Sequence, residues 1–428
     1  MGGGNVKEQT LQRTKVVLYS EAIFSLEIFF APIMIAFYLN YIGLSFGEMS
    51  LLFSISMISG WILEIPSGAF SDWFGRKKAF LLGKFIYLIG MLSLFIVKDF
   101  EYLIIVSIIL SVGLSIGSGN LPSIVYENLD SVGVEKEVFF RISSQANSFA
   151  FLSAAIASIV GGYLGSVDLR IPLAIDCIFI ILTILISYIF VEEKSQSYLL
   201  KSNAEFNFKM VFMDIFKIMK DGFLLAIKNQ KLIFIFLVSA LSFSVLRTGF
   251  NFYQPIFEEF SVNLEIFGIV LAVFNVIAAA ISHFTGKIPK KFIQNQSLII
   301  FSGLLLILSG ILAYWNFGFV MFIGIAFTLH QVIRGFINPY ISYAVNEEIP
   351  KGSKNRATVL SFDFLMRSLF GTFIMTLSGM ISGTFGILKG FSIISIFGGI
   401  IILSIYITFK SMSKRKQLKE SPIVVDSH

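Results

Sequence analysis

The chain has 428 residues and a formal net charge of +6; 56% of its residues are hydrophobic, 15% aromatic and only 14% charged, where an ordinary soluble domain carries roughly a quarter charged. With 48 Phe and a mean hydropathy of +0.82, too few polar side chains remain to cover a water-soluble fold, which excludes a soluble enzyme. The single Cys177 cannot close an internal disulfide, and His283, His330 and His428 are too scattered for a histidine metal site, so neither metal nor cofactor is expected.

In chain order, twelve apolar runs are long enough to cross a bilayer as helices. Six lie near Val16–Leu39, Phe46–Phe70, Ala79–Val97, Tyr102–Val125, Ser144–Leu164 and Leu173–Val191, and six more near Leu232–Ile256, Leu264–Phe284, Leu298–Ala313, Phe317–Ile341, Thr358–Phe385 and Gly390–Phe409. The predicted organisation is an all-α membrane protein of two six-helix bundles, residues 1–195 and 231–410. A cytoplasmic linker at 196–230 and a cytoplasmic tail at 411–428 complete the chain. Within the linker Val211, Ile215, Ile218 and Met219 fall at helical spacing, as in a helix lying on the membrane surface.

Basic residues test the topology, because short cytoplasmic loops are enriched in Lys and Arg. With the N-terminus inside, only Lys98, Arg170 and Lys389 of the 33 basic residues fall outside, and Lys84, Arg247, Arg334 and Arg367 lie within spans. All the others are cytoplasmic, so both termini are placed there. The positive charge then belongs to membrane topology, and no nucleic-acid partner is implied.

Charge inside a span costs about 2.5–3.5 kcal/mol at a helix centre, so each deep ionisable residue is a candidate functional group. Glu27 lies roughly 17 Å into the first span at 1.5 Å per residue, near the midplane. Glu64, in the second span, precedes Pro66, which cannot donate a backbone hydrogen bond. These two carboxylates are the proton-coupling candidates. Glu21 is read as reaching the surface, Lys84 as snorkelling, and Asp176 as solvated near the outer face.

The second half carries polar stripes. Arg247, Asn251 and Gln254 recur at i, i+4 and i+7; His330, Arg334 and Asn338 at i, i+4 and i+8, with Gln331 adjoining; Asp363 and Arg367 form an i, i+4 pair with the acid first. Together they are read as the wall of a wet substrate cavity, although each stripe alone could equally join two helices.

The second span ends Glu64-Ile-Pro-Ser-Gly68-Ala-Phe-Ser-Asp72-Trp-Phe-Gly75-Arg76-Lys77-Lys78. Gly68 admits a close helix, Gly75 a tight turn, and Asp72 suits a helix N-terminus or a cation. This stretch resembles the G-x-x-x-D-x-x-G-R-K signature of the major facilitator superfamily, and the segment from Asn355 to Ser361 resembles the start of helix 11 in its efflux-type members.

The resemblance implies a secondary transporter, a monomer in the cell membrane, with Asp72 docking near Ala357 and Thr358. It also implies that Arg76 meets Glu127 or Asp130, closing a cytoplasmic gate to which Gly68, Gly75 and Lys77 belong. Two departures stand out: Gly286 to Lys291 lacks the acid of a second signature copy, and Ser153 to Gly162 keeps the small residues of the antiporter motif without its proline.

The expected function is proton-coupled export of a small amphiphilic molecule by alternating access, with no enzymatic activity and no P-loop. Import of a sugar, peptide or organic anion by proton symport is one alternative. An uncoupled channel, scramblase or receptor is the alternative of another class.

Overall fold

The computed structural model describes residues 3–24, 28–118, 120–134, 136–191, 229–285, 296–348 and 356–420, with five isolated positions between 213 and 224. Glu27, the linker positions Val211, Ile215, Ile218 and Met219, and the segment from Gly286 to Lys291 lie outside the described residues.

In the first half, α1 (Gly3–Ile23) is followed by a run of 3-10, α and π turns over Ala31–Ile42, then α2 (Phe46–Phe74), α3 (Arg76–Ser93), α4 (Phe100–Gly117), α5 (Asn120–Ser131), α6 (Lys136–Val167) and α7 (Arg170–Phe190). In the second half come α8 (Gln230–Phe250), α9 (Tyr253–Glu259), α10 (Leu264–Thr285), α11 (Ser297–Tyr314), α12 (Val320–Glu348), α13 (Arg356–Phe385) and α14 (Ile387–Glu420). No strand occurs among the described residues. Nine helical segments of the described residues are long and apolar enough to cross a membrane.

The other three predicted spans are helical but fall short of that measure. The first is interrupted by turns at 28–30 before the Ala31 turn, and α3, the helix of the third, begins at Arg76 and carries Arg76, Lys77, Lys78 and Lys84. Two further spans expected to be continuous are interrupted, the fourth between α4 and α5 and the seventh at Asn251 and Phe252.

Two compact units result. One comprises Met1–Phe216 with Gln254–Asn275, the other Lys217–Tyr253 with Val276–His428.

Local chemistry explains several boundaries. Ser45 and Glu48 form a reciprocal capping box that starts α2. Gly75, at φ +99°, ends α2 and leads directly into α3, a backbone state that a side chain would strain.

In the first unit, α4 shows two different faces. Ser111 bonds the Ser56 hydroxyl at 2.9 Å and donates to its carbonyl at 3.1 Å, while Ser115 donates to the Gly60 carbonyl at 3.3 Å, which ties α4 to α2. The opposite face, with Gly113 and Gly117, meets α3 backbone to backbone. A Cβ on Gly83 would lie 2.4 Å from the Gly117 nitrogen. This is the small-residue packing by which helices associate in a medium that provides no hydrophobic drive.

The break in the first span is held by side chains from elsewhere in the same unit. Asp176 accepts from the Phe30 amide at 2.8 Å and the Phe29 amide at 3.3 Å. It is 1% exposed, so the reading of a solvated acid is corrected: free amides at the break need an acceptor, and α7 supplies it. Pro32, at the first positions of the Ala31 turn, was the sequence signal for this interruption. On α6, Gly161 leaves room for the Phe29 carbonyl, only 2.1 Å from where its Cβ would stand, and Gly162 does the same for the Gly268 backbone at 2.7 Å. The small residues between Ser153 and Gly162 therefore serve close packing.

In the second unit, α11 packs along α14 through Gly303 and Gly399, each too close to the other helix for a methyl group. α8 lies among α12, α13 and α14.

Two neighbouring glycines separate close packing from mere proximity. Gly113→Ala would place its methyl 2.5 Å from the Tyr87 nitrogen, whereas Gly117→Ala meets nothing nearer than 3.9 Å. Thermal unfolding in detergent should show G113A destabilised by about 1–3 kcal/mol, as overpacking usually costs, and G117A close to wild type.

Candidate functional site

The gate motif places Arg76 at the first position of α3, and its guanidinium forms an ion pair with Glu127 of α5. Asp130, the other acid offered for this contact, is exposed. Lys77 donates to the Tyr188 carbonyl at 2.9 Å and lies over that ring. Among the described residues nothing lies within 4 Å of where a Cβ on Gly68 would stand, so the close helix read from it is not seen there. The side chains of Asp72, Ala357 and Thr358 are outside the described residues.

Glu64 lies on α2 with its side chain exposed, and its backbone carbonyl accepts from Ser67 at 2.8 Å. Pro66 continues within the same helix.

The polar stripes of the second half are divided. α8 ends at Phe250 with Asn251 as its C-cap, and Gln254 belongs to the next helix, α9; Arg247 is exposed. Asn251 donates from Nδ2 to the Met375 sulfur at 3.4 Å, while its Oδ1 is buried with no hydrogen-bond partner among the described residues. Gln254 belongs to the first unit, fully buried, where its Oε1 accepts from the Ala36 amide at 2.9 Å and its Nε2 donates to the Ala31 carbonyl at 3.3 Å. It clamps the broken first span, and the reading of Gln254 as cavity wall is corrected. Asn251 and Phe252 form a turn between α8 and α9, so the continuous helical spacing from Arg247 to Gln254 does not hold.

On α12, positions four apart drift about 40° round the helix, so a stripe over two intervals spreads across about 80°. His330 is accordingly 2% exposed, with Nε2 3.2 Å from the Ser395 hydroxyl, its ring 5.1 Å from Phe391 and Gly249 leaving room for it. Gln331 is buried and accepts from Arg334 at 3.1 Å. Arg334 is half-buried within electrostatic reach of Arg247, and Asn338 is exposed. His330 thus packs between helices, while Arg247, Arg334 and Asn338 remain accessible.

Asp363 and Arg367 form an ion pair at 2.7 Å along α13. Ser239 of α8 closes it into a triad, donating to Asp363 Oδ1 at 2.6 Å and accepting from Arg367 Nε at 2.8 Å. The pair consequently joins two helices.

A second group of charges was missed as a site by the sequence reading. Lys84 of α3 is 5% exposed and donates to Glu21 Oε1 of α1 at 2.6 Å, with its ammonium 5.4 Å from the Phe80 ring. Lys84 does not turn outward as expected but is buried against Glu21. Gly83 brings α3 hard against α4, and the next residue round the helix is directed into the bundle, where Glu21 meets it. The two line a cavity of about 430 Å³ walled by Leu18, Phe80, Tyr87, Leu114, Leu121 and Pro122. Gly113 and Gly117, spaced four apart, were the available signal for a close α3–α4 seam beside a lysine.

Outside the spans, the loop between α6 and α7 holds Asp168. Hydrogen bonds from the Arg170 guanidinium and then its amide hold that carboxyl down to about 2. A depressed folded value stabilises above the usual aspartate range and is lost only as pH falls towards 2, so this clamp is intact at neutral pH. Among the described residues no cluster of His, Cys, Asp and Glu is suited to a metal ion.

The sequence matches the Major Facilitator Superfamily over residues 18–376. The chain belongs to that family. Its members are transporters, and the fold is the major facilitator fold. Solved structures agree: a point mutant of the nucleoside transporter NupG superposes with a TM-score of 0.71 at 17% identity, covering 95% of this chain and 99% of that one. A POT family transporter in complex with a thioalcohol-conjugated peptide gives 0.68 at 15% identity, covering 95% and 96%. The D-xylose–proton symporter gives 0.62 at 13% identity, covering 93% and 96%. Among curated proteins there is no match.

The Asp363–Arg367–Ser239 triad of this superfamily member yields a stability test. Asp363→Asn alone leaves Arg367 without its charge partner and should cost about 2–3 kcal/mol, less than the ~3–5 kcal/mol of a fully enclosed pair because Arg367 keeps 24% exposure. The double variant D363N/R367Q should be milder than D363N, as measured by thermal unfolding in detergent and a double-mutant cycle.

Proposed function

We propose that this superfamily member is a proton-coupled secondary transporter for a small amphiphilic solute, crossing the membrane twelve times with both termini cytoplasmic and working by alternating access as a monomer in the cell membrane. The observation that carries the reading is the conjunction of the family match with ionisable groups retained inside apolar helices. Such charges are costly in hydrocarbon and persist where they serve solute or proton movement.

In this reading Glu27 and Glu64 carry protons. Glu64, exposed along α2 and two residues before Pro66, has no ion pair among the described residues that would have to break before it exchanged a proton. Asp363 is unsuited, because Arg367 and Ser239 already satisfy it. Arg247, Arg334 and Asn338 offer the accessible polar surface of the second unit. The Arg76–Glu127 pair, with Gly68, Asp72, Gly75 and Lys77, acts as the cytoplasmic gate.

Export is our first reading of direction, from the helix-11-like segment at Asn355 to Ser361. Import by proton symport is favoured instead by the basic residues of the second-half stripes and the missing proline between Ser153 and Gly162; a structure with the same fold is described as a D-xylose–proton symporter.

Flux in liposomes under an imposed pH gradient tests the proposal. Glu64→Gln and Glu27→Gln should each reduce pH-driven flux by about tenfold or more, as loss of an essential proton site does, while solute counterflow at equal pH persists. Unchanged pH-driven flux in both variants would overturn the carrier assignment, and the gradient polarity that drives accumulation decides between export and import. Asp72→Ala should slow flux in every mode; full activity would favour an uncoupled pathway.

A further inference from the structure

The cavity between α1, α3 and the α4–α5 segment is about 430 Å³. That is far beyond a packing defect, since one water occupies roughly 30 Å³, and it falls within the ~300–1,000 Å³ typical of small-molecule sites. Its wall is predominantly apolar, with Leu18, Phe80, Leu114, Leu121 and Pro122, and its two charges stand side by side.

Those charges are incompletely used. Lys84 has three N–H donors and spends one on Glu21 Oε1. Glu21 Oε2 is buried and has no hydrogen-bond partner among the described residues. An acceptor left in that state costs free energy until something donates to it. The Glu21 side chain as a whole is 27% exposed, against 7% for Lys84, so the pair is reachable from the acid's side.

We propose that this cavity binds a small zwitterion with an apolar body, an amino-acid-sized solute whose ammonium bonds Glu21 Oε2 and whose carboxylate bonds the free N–H groups of Lys84. Electroneutrality selects the class. Glu21 and Lys84 sum to zero, so a lone anion would satisfy Lys84 and repel Glu21, and a lone cation would do the reverse. An uncharged solute matches neither group, whereas a zwitterion complements both, and the apolar wall receives its side group. The proposal takes its purpose, solute movement, from the transport reading above, but the site is defined by binding alone.

Isothermal titration of the purified full-length protein in detergent, at pH 7, tests it with four probes. These are L-phenylalanine and L-leucine as zwitterions, phenylalaninamide as the cation and N-acetylphenylalanine as the anion. The zwitterions should bind about tenfold or more tighter than either singly charged analogue, since each mismatched probe forgoes a charge-assisted bond.

Glu21→Gln should shift preference to the anion and Lys84→Met to the cation, a reversal that a purely structural ion pair would not produce. Equal affinity for all probes, binding of none, or preferences unmoved in the two variants would overturn the proposal. Should either variant fail to fold, the wild-type ranking decides alone. Zwitterion binding without flux in liposomes would refute the transport reading and leave the site; pH-driven flux of another solute with no zwitterion binding would refute the site and leave the transport reading.

Discussion

In hydrocarbon, every backbone amide and carbonyl must find its partner inside the protein, because no water is present to accept or donate. An unbroken helix meets that demand by itself, and most spans of this chain do so. Where a helix stops inside an apolar run, something else must supply the missing partners. At the break in the first span, Asp176 receives the Phe29 and Phe30 amides, and Gln254 receives the Ala36 amide while donating to the Ala31 carbonyl. Residues far apart in sequence are thereby committed to one compact unit, and the close approach of α6 through Gly161 depends on the same broken segment.

A similar demand governs the charges. Arg76 with Glu127, Asp363 with Arg367 and Ser239, and Lys84 with Glu21 all pair ionised groups across or along helices. The pairs differ in what they leave over. Ser239 completes the Asp363–Arg367 pair, which therefore behaves as a joint between α8 and α13. The Glu21–Lys84 pair faces open volume and keeps a carboxylate oxygen in hand, and that surplus distinguishes a binding group from a structural one.

The physical character of a transporter thus arises from incompleteness held in a rigid frame. Glycine seams between α3 and α4 and between α11 and α14 fix helices at backbone contact. The frame can then hold a cavity and an unsatisfied oxygen without collapsing on them, because tightly packed interiors resist small deformations.

Much of this was legible in the residues. Composition and the apolar runs dictated a membrane-spanning helical protein, since burial of so many Phe, Ile and Leu side chains requires lipid. The spacing from Gly68 to Lys78 pointed to the family, and Gly75 adopts the backbone state that only glycine holds without strain. The acid-first order of Asp363 and Arg367 announced their ion pair, because i, i+4 contacts are local. The remainder depended on contacts between distant segments. Helical phase alone placed Gln254 on the face of Arg247 and His330 on that of Asn338, but a turn at 251–252 ends the helix that spacing assumed, and His330 is buried while Asn338 is exposed. Depth along the first and third spans sent Glu21 and Lys84 to the surface; only tertiary packing, through Gly83 against α4, turned the lysine inward to meet its acid. Periodicity fixes which face of a helix a residue occupies, and what that face meets is decided by the neighbours the fold brings to it.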